Sequence, residues 1–278
     1  MSSEMIDIGE ISEHVSDATS FHLPQFFGHL PELPVVEIFG YQLQITKFMV
    51  LEVAVAVILM LFFFPLAWKM RGGRLVKGKF WNLLEVFLLY LRDEVIVPSI
   101  GKKNASRYLP YLWTLFFFIL GCNLFGMLPW CGSPTGNLSV TAVVAVFTYL
   151  VIIGGGMIKQ GPITYWLHQV PRMNLPLVLS IFLKPMIFVI EIAGLLIKCV
   201  VLAIRLLANM FAGHVVLAVF LAFIAATADK LVLWIGVTIG CVGMSVALSC
   251  LELFVAFLQA YIFMFLASIF IGMAQHQH

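Results

Sequence analysis

Charge is what this sequence lacks most. Of its 278 residues 11% are charged and 62% are hydrophobic, where a water-soluble domain carries about 25% charge. That balance excludes an ordinary soluble globule and predicts an integral membrane protein. Lysine and arginine are missing from residues 1–46, a stretch that holds seven acids: Glu4, Asp7, Glu10, Glu13, Asp17, Glu32 and Glu37. An acidic start excludes a secretory signal and an Arg-rich transit peptide, and the expected membrane is the bacterial cytoplasmic one. No CxxC pair occurs among Cys122, Cys131, Cys199, Cys241 and Cys250. All five lie in apolar segments or their turns, so neither a metal nor a disulfide is expected and the thiols read as small apolar filler. No GxxxxGK[ST] loop is present to cradle phosphate, and no internal repeat is visible. No cofactor and no nucleic-acid partner are expected.

What is present is a series of apolar runs. Phe48–Trp68 has the length of about 20 residues that a bilayer crossing needs, and the basic cluster Lys69, Arg71, Arg74, Lys77 and Lys79 follows at once. The positive-inside rule puts that end in the cytoplasm and the acidic segment 1–46 outside. The apolar centre of Lys79–Glu94 is too short to span and is bracketed by charge, so an amphipathic helix lying at the cytoplasmic surface is expected over about 79–97. Leu109–Ile158 contains no charged residue. Its turn-rich break Pro129–Asn137 divides it into two spans, about 108–128 and 138–158. Lys159, His168 and Arg172 then mark a cytoplasmic loop.

Two longer apolar segments close the chain, 174–228 and 231–275, separated by Asp229-Lys230. At about 1.5 Å per residue the second would make roughly 68 Å of helix, against a core of about 30 Å. Each is either two short spans or one long, strongly tilted or kinked helix. The absence of a turn cluster between Pro185 and Ala228 favours the long helix. The fold expected is thus an all-α membrane protein with about five transmembrane helices and one interfacial helix. Residues 47–278 form one transmembrane domain, with the N-terminus outside and the C-terminus inside.

Ionisable residues within a span are functional candidates by default. The two long segments hold Glu191, Lys198, Arg205, His214 and Glu252. A helical residue turns about 100°, so Glu191, Lys198 and Arg205, seven apart, form one slowly drifting stripe. Asn209 lies one turn past Arg205, and His214 falls on the opposite face. On the last segment Gln259 follows Glu252 by seven residues on the same face. Since the first segment runs outward and the second inward, His214 and Glu252 share the external side and are candidate partners. Arg205 and Gln259 are placed to share the middle. Glu191 and Lys198 lie towards the cytoplasm. This pattern makes two half-paths on different faces with a fixed positive charge between them. Histidine and glutamate carry protons, whereas arginine does not release its own. Plainer readings exist: Glu191 and Lys198 as a polar seam, His214 as a satisfied core histidine, Glu52 as interfacial, Lys184 as snorkelling. Arg205 resists such a reading, because inserting it costs about 3 kcal/mol on translocon scales.

At these residues the sequence resembles a known family. "RLLANMFAGH", Arg205–His214, resembles the signature of subunit a of the F-type ATP synthase: an Arg-Leu pair, then Asn, then Ala-Gly followed by His or Glu. "LQAYIFMFLASIFI", Leu258–Ile271, resembles that family's last helix, whose glutamine matches Gln259. "NLFGMLP", Asn123–Pro129, resembles its third-helix motif. Glu191 and Lys198 match the family's intramembrane glutamate and the lysine midway to the arginine. Many members have proline where Cys199 stands, and some have an acid where Gly126 stands. The resemblance covers most of residues 40–275.

It implies a stator subunit with two long tilted helices packed on a ring of subunit c, a subunit b stalk, and an F1 sector that performs the ATP chemistry elsewhere. The chain would then not be an enzyme by itself. Arg205, Asn209, His214, Glu252, Gln259, Glu191 and Lys198 would carry proton translocation. The alternative is a self-contained proton-coupled secondary transporter. That class shows inverted repeats and broken helices, and this chain offers neither a repeat nor the length for two comparable halves.

Overall fold

The computed structural model describes residues 35–38, 41–44, 46–70, 78–127, 138–161 and 177–275; over 177–226 it describes the backbone throughout and the side chains in part. The acidic residues 1–34, most of the basic cluster (71–77), the turn Pro129–Asn137 and loop residues 162–172 lie outside the described residues.

The architecture is all-α, as composition demands. In lipid a backbone must satisfy its polar groups within its own segment, and a helix does so. The helices are α1 (Lys47–Met70), α2 (Lys79–Tyr90), α3 (Val97–Ile100), α4 (Lys102–Gly126), α5 (Leu138–Gln160), α6 (Leu177–Ala226) and α7 (Leu231–Gln275). Among the described residues four stretches are long and apolar enough to cross a membrane: Lys47–Trp68, Lys102–Gly126, Ser139–Gln160 and Leu231–Gln275; Val215–Ala226, at the end of α6, is a shorter apolar stretch. The chain is thus a multi-pass membrane protein. α6 and α7 are single helices of 50 and 45 residues. That decides between two short spans and one long helix in each segment. A helix of about 68 Å fits within a core of about 30 Å only if it is tilted.

Two features were not expected. A small antiparallel hairpin precedes α1, its strands β1 (Val35–Ile38) and β2 (Tyr41–Gln44) paired with Ile38 opposite Tyr41. The interfacial segment is also not one uniform helix. Between α2 and α3 the backbone widens to a π-helical turn over Leu91–Ile96. Pro98 explains the widening, since it has no N–H to donate to the carbonyl four residues back and its ring crowds that carbonyl. Gly101, at φ 88, then turns the chain into α4, a conformation in which glycine carries no penalty.

By packing, the chain forms two units. One comprises the chain up to Phe63, Phe117–Thr141 and Arg205–Ala260; the other comprises Phe64–Phe116, Ala142–Ile204 and Tyr261 onward. In the first, Phe48, Leu51 and Val55 form the buried edge of α1. Val55 is seated on Gly121 of α4, where an added Cβ would lie 2.7 Å from the Val55 Cγ1.

The second unit holds the interfacial segment. Leu88, Leu91, Val95, Ile96 and Ile100 are buried, while Phe80, Leu83 and Val86 are exposed. Two apolar edges suit a helix packed on protein along one side and lipid along the other. Arg92 and Asp93 form an exposed ion pair at 2.8 Å. The hydrogen bond from Arg92 holds the Asp93 carboxyl below its usual range, and a pair so exposed adds little stability. The end of α7 is tied down firmly. The Lys159 ammonium donates to the Gln275 carbonyl at 2.8 Å and the Gln160 amide to the Ala274 carbonyl at 2.9 Å, serving the carbonyls that a helix C-terminus leaves open. The Gln275 amide donates to the Tyr108 hydroxyl.

Gly272 of α7 lies directly against the Ser99 carbonyl, and an added Cβ would overlap that oxygen. A backbone atom cannot swing aside as a side-chain tip can. Gly272→Ala is therefore expected to destabilise the protein by about 1–3 kcal/mol, read as faster thermal inactivation of the detergent-solubilised complex. An unchanged inactivation temperature would contradict this packing.

Candidate functional site

The candidate residues lie on α6 and α7. α6 stays helical for 50 residues because Leu, Ile, Val and Ala fill it. It ends at a short turn where the Thr227 hydroxyl bonds the carbonyls of Phe223 at 3.0 Å and Ile224 at 3.2 Å. α7 begins directly afterwards at Leu231.

Among the described side chains, one side of α6 is exposed from Met186 to Val219. Met186, Val189, Ile190, Ile197, Val200, Val201 and Ile204 are exposed, then Arg205 and Ala208, then Ala212, Val215, Val216 and Val219. The steps of three and four residues are those of one helix face. Arg205 is the one charged side chain described on that stripe. It has no ion-pair partner among the described residues.

The same unit brings α7 against α6 at one defined place. Gly213 is buried, and a Cβ added there would overlap Oε1 of Glu252, with the Glu252 Cδ at 2.6 Å and Cγ at 3.3 Å. The half-buried Glu252 carboxyl therefore occupies the space that a side chain at 213 would take. His214 is the next residue on α6. The side chains of His214, Asn209, Lys198 and Glu191 lie outside the described set, although the backbone of each is helical. Gln259 is 5% exposed, buried on α7. Arg205 is exposed, and no hydrogen bond joins it to Gln259.

Residues 49–272 match the family model described as ATP synthase A chain. The chain belongs to that family. Similar proteins include the ATP synthase subunit a of Myxococcus xanthus (strain DK1622), 35% identical over 269 residues that cover 94% of this chain and 85% of that protein. That of Anaeromyxobacter sp. (strain Fw109-5) is 37% identical over 283 residues, 98% of this chain and 65% of its own length. That of Anaeromyxobacter dehalogenans (strain 2CP-1 / ATCC BAA-258) is 41% identical over 211 residues, 75% of this chain and 52% of its own length. The chain thus spans between about half and most of the length of these relatives.

Within this member of the ATP synthase A chain family, packing brings forward two residues to which spacing assigns no role. Gly213 is the seat of the Glu252 carboxyl. Asn123 of α4 is completely buried, and its amide donates to the Ala256 carbonyl of α7 at 3.2 Å. Ala256 lies one turn beyond Glu252. The signal for Gly213 was a glycine inside an apolar helix, which often marks close approach by a neighbour. Asn123 had a weaker signal, a lone amide in an otherwise apolar helix end. Gly126, also buried, offers no side chain with which to carry a proton.

Proposed function

We propose that this chain is the stator subunit of a rotary ATP synthase and carries protons to and from a ring of c subunits through two offset half-paths. The observation that carries this reading is Arg205: an exposed guanidinium in the middle of a long apolar helix face, without an ion-pair partner among the described residues. A charge on a face turned to lipid is costly. Its counter-charge is best supplied by another chain docked along α6, and the steric regularity of that exposed stripe suits a cylinder of helices that slides past it.

In this reading the N-terminal segment 1–46 is outside, the C-terminus is cytoplasmic, and residues 47–278 act as one transmembrane domain in the bacterial cytoplasmic membrane. A proton enters from outside past His214 and Glu252 and neutralises a carboxylate on the ring. The neutral carboxyl can then travel through lipid, where a carboxylate could not. When it comes round to Arg205, the positive charge favours its ionised form, and the proton leaves past Lys198 and Glu191. Asn209 and Gln259 line the neighbourhood of the arginine. The potential supplies about 2.3 kcal/mol per charge per 100 mV. ATP chemistry belongs to the F1 sector, and subunit b holds this chain still against it.

The contact of Glu252 with Gly213 supports a pairing of Glu252 with His214. His214→Ala and Glu252→Ala are each expected to lower ATP-driven proton flux by about tenfold or more. The exchange of His214→Glu with Glu252→His is expected to recover part of it. Losses that simply add in a double-mutant cycle would show that the two do not interact. Failure of a c-ring to co-purify with the chain would overturn the stator reading itself.

A further inference from the structure

Cations and acids are divided unevenly along this chain. All but three of its 16 Lys and Arg fall in the second packing unit, against four of its 14 acids: Glu85, Asp93, Glu94 and Glu191. No acid occurs from residue 95 to residue 190. Within that stretch Lys102, Lys103 and Arg107 open α4, and all three are exposed. Among the described residues none of the three has an ion-pair partner, whereas Arg92, a little earlier, is taken by Asp93. The counter-charge for this face has to come from outside the chain.

At about 100° per residue, Lys102, Lys103, Ser106 and Arg107 spread over roughly 140° of the helix. Ala105, Tyr108 and Leu112 lie on the opposite side and are buried. The cations therefore share one face, turned away from the packing of α4. Their depth follows from the segment before them. Phe80, Leu83 and Val86 of α2 are exposed, which suits a helix lying in the headgroup layer. Gly101 then turns the chain directly into α4. Lys102 and Lys103 thus start at that layer. Arg107 lies about 8 Å further along, close enough for its long side chain to snorkel back. The anion that this depth supplies is a lipid phosphate.

We propose that the start of α4 binds the headgroup of an anionic phospholipid through Lys102, Lys103 and Arg107. Arg107 meets the phosphate with its planar fork, and the two ammonium groups add point charges beside it. A zwitterionic lipid brings its own cation and gains little from this face, whereas a net negative headgroup gains from each of the three charges. This inference needs only that the chain spans a membrane; it does not depend on the proton paths.

The test places the assembled complex in phosphatidylcholine vesicles carrying a trace of photoactivatable phosphatidylglycerol. Labelling of the peptide that holds residues 102–112 is measured per inserted chain. The phosphatidylglycerol probe should label it well above a phosphatidylcholine probe with the same chains. Lys102→Gln, Lys103→Gln and Arg107→Gln should each lower that labelling by about fivefold, as one cation near a charged surface implies. Lys102→Arg and Lys103→Arg keep the charge and should keep the labelling, which separates loss of charge from loss of fold. Lys230→Gln, on another part of the chain, should leave it unchanged. Equal labelling by the two probes, or undiminished labelling when all three cations are replaced by Gln, would overturn the proposal. Displacement of the label by inorganic phosphate would show a site for the free anion and not for a lipid. Absence of label from both probes would show that a partner chain covers this face, and the proposal would fall.

Discussion

Arg205→Ala is expected to abolish ATP-driven acidification of membrane vesicles while leaving the chain inserted and bound to its ring. The argument is electrostatic. On the proposed reading, a carboxylate arriving on a ring of c subunits needs a positive charge to hold its ionised form away from lipid. Arg205 is the one charge described on the exposed stripe of α6, and Lys198, the next cation along the helix, lies two turns away, about 10 Å. Without it the ring has no fixed position at which to release protons, and hydrolysis loses its link to transport. Arg205→Lys is expected to fail as well, though with a smaller leak. An ammonium is a point charge that can lose its proton when desolvated, and it lacks the planar fork that meets a carboxylate at two nitrogens. Pumping by Arg205→Ala at near the normal rate would contradict this account.

The second large effect is expected at a residue with no chemistry of its own. Gly213→Ala places a methyl group where the Glu252 carboxyl now lies. The displaced atoms are the end of a flexible side chain, so the helices need not move and stability should change little. The carboxyl, however, must leave its position beside the turn that holds His214. Flux is expected to fall by about tenfold or more, since a proton relay works only within hydrogen-bond reach. Gly213→Val should be worse. Combined with Glu252→Gln, Gly213→Ala should add no further loss, because both changes remove the same carboxyl from the same place. Full additivity would show that Gly213 acts through something other than Glu252. A collapse in inserted chain would show that the site is rigid and that the glycine serves packing.

Gly213 also marks the limit of what the sequence made legible. Long apolar runs announced the spans, and the lack of a turn cluster between Pro185 and Ala228 favoured one long α6. A lone arginine in such a run is costly, which is what makes Arg205 a candidate from sequence. These are properties of one segment, readable from period and composition. Which residue of one helix meets which residue of another depends on rotation and axial offset, and no spacing rule encodes those. Hence the seat of Glu252 on Gly213 and the Asn123 bond to Ala256 became visible only with packing. Local backbone exceptions were hidden for another reason. The π-helical turn before Pro98 is a response to a single missing N–H, and the hairpin at Val35–Gln44 involves strands of four residues each, too short to show a strand period reliably.

The claim at the centre of this account is that protons cross only by riding the ring past Arg205. It is tested by immobilising the ring, through a covalent cross-link between c subunits and the stator, in vesicles stripped of the F1 sector. Passive proton flux is then measured under an imposed membrane potential. With the native chain, flux should be high before cross-linking and fall to the level of bare lipid afterwards. With Arg205→Ala, a leak should remain with the ring locked. If the native chain conducts equally well with the ring locked, the two half-paths are joined within the chain itself, and the account is wrong.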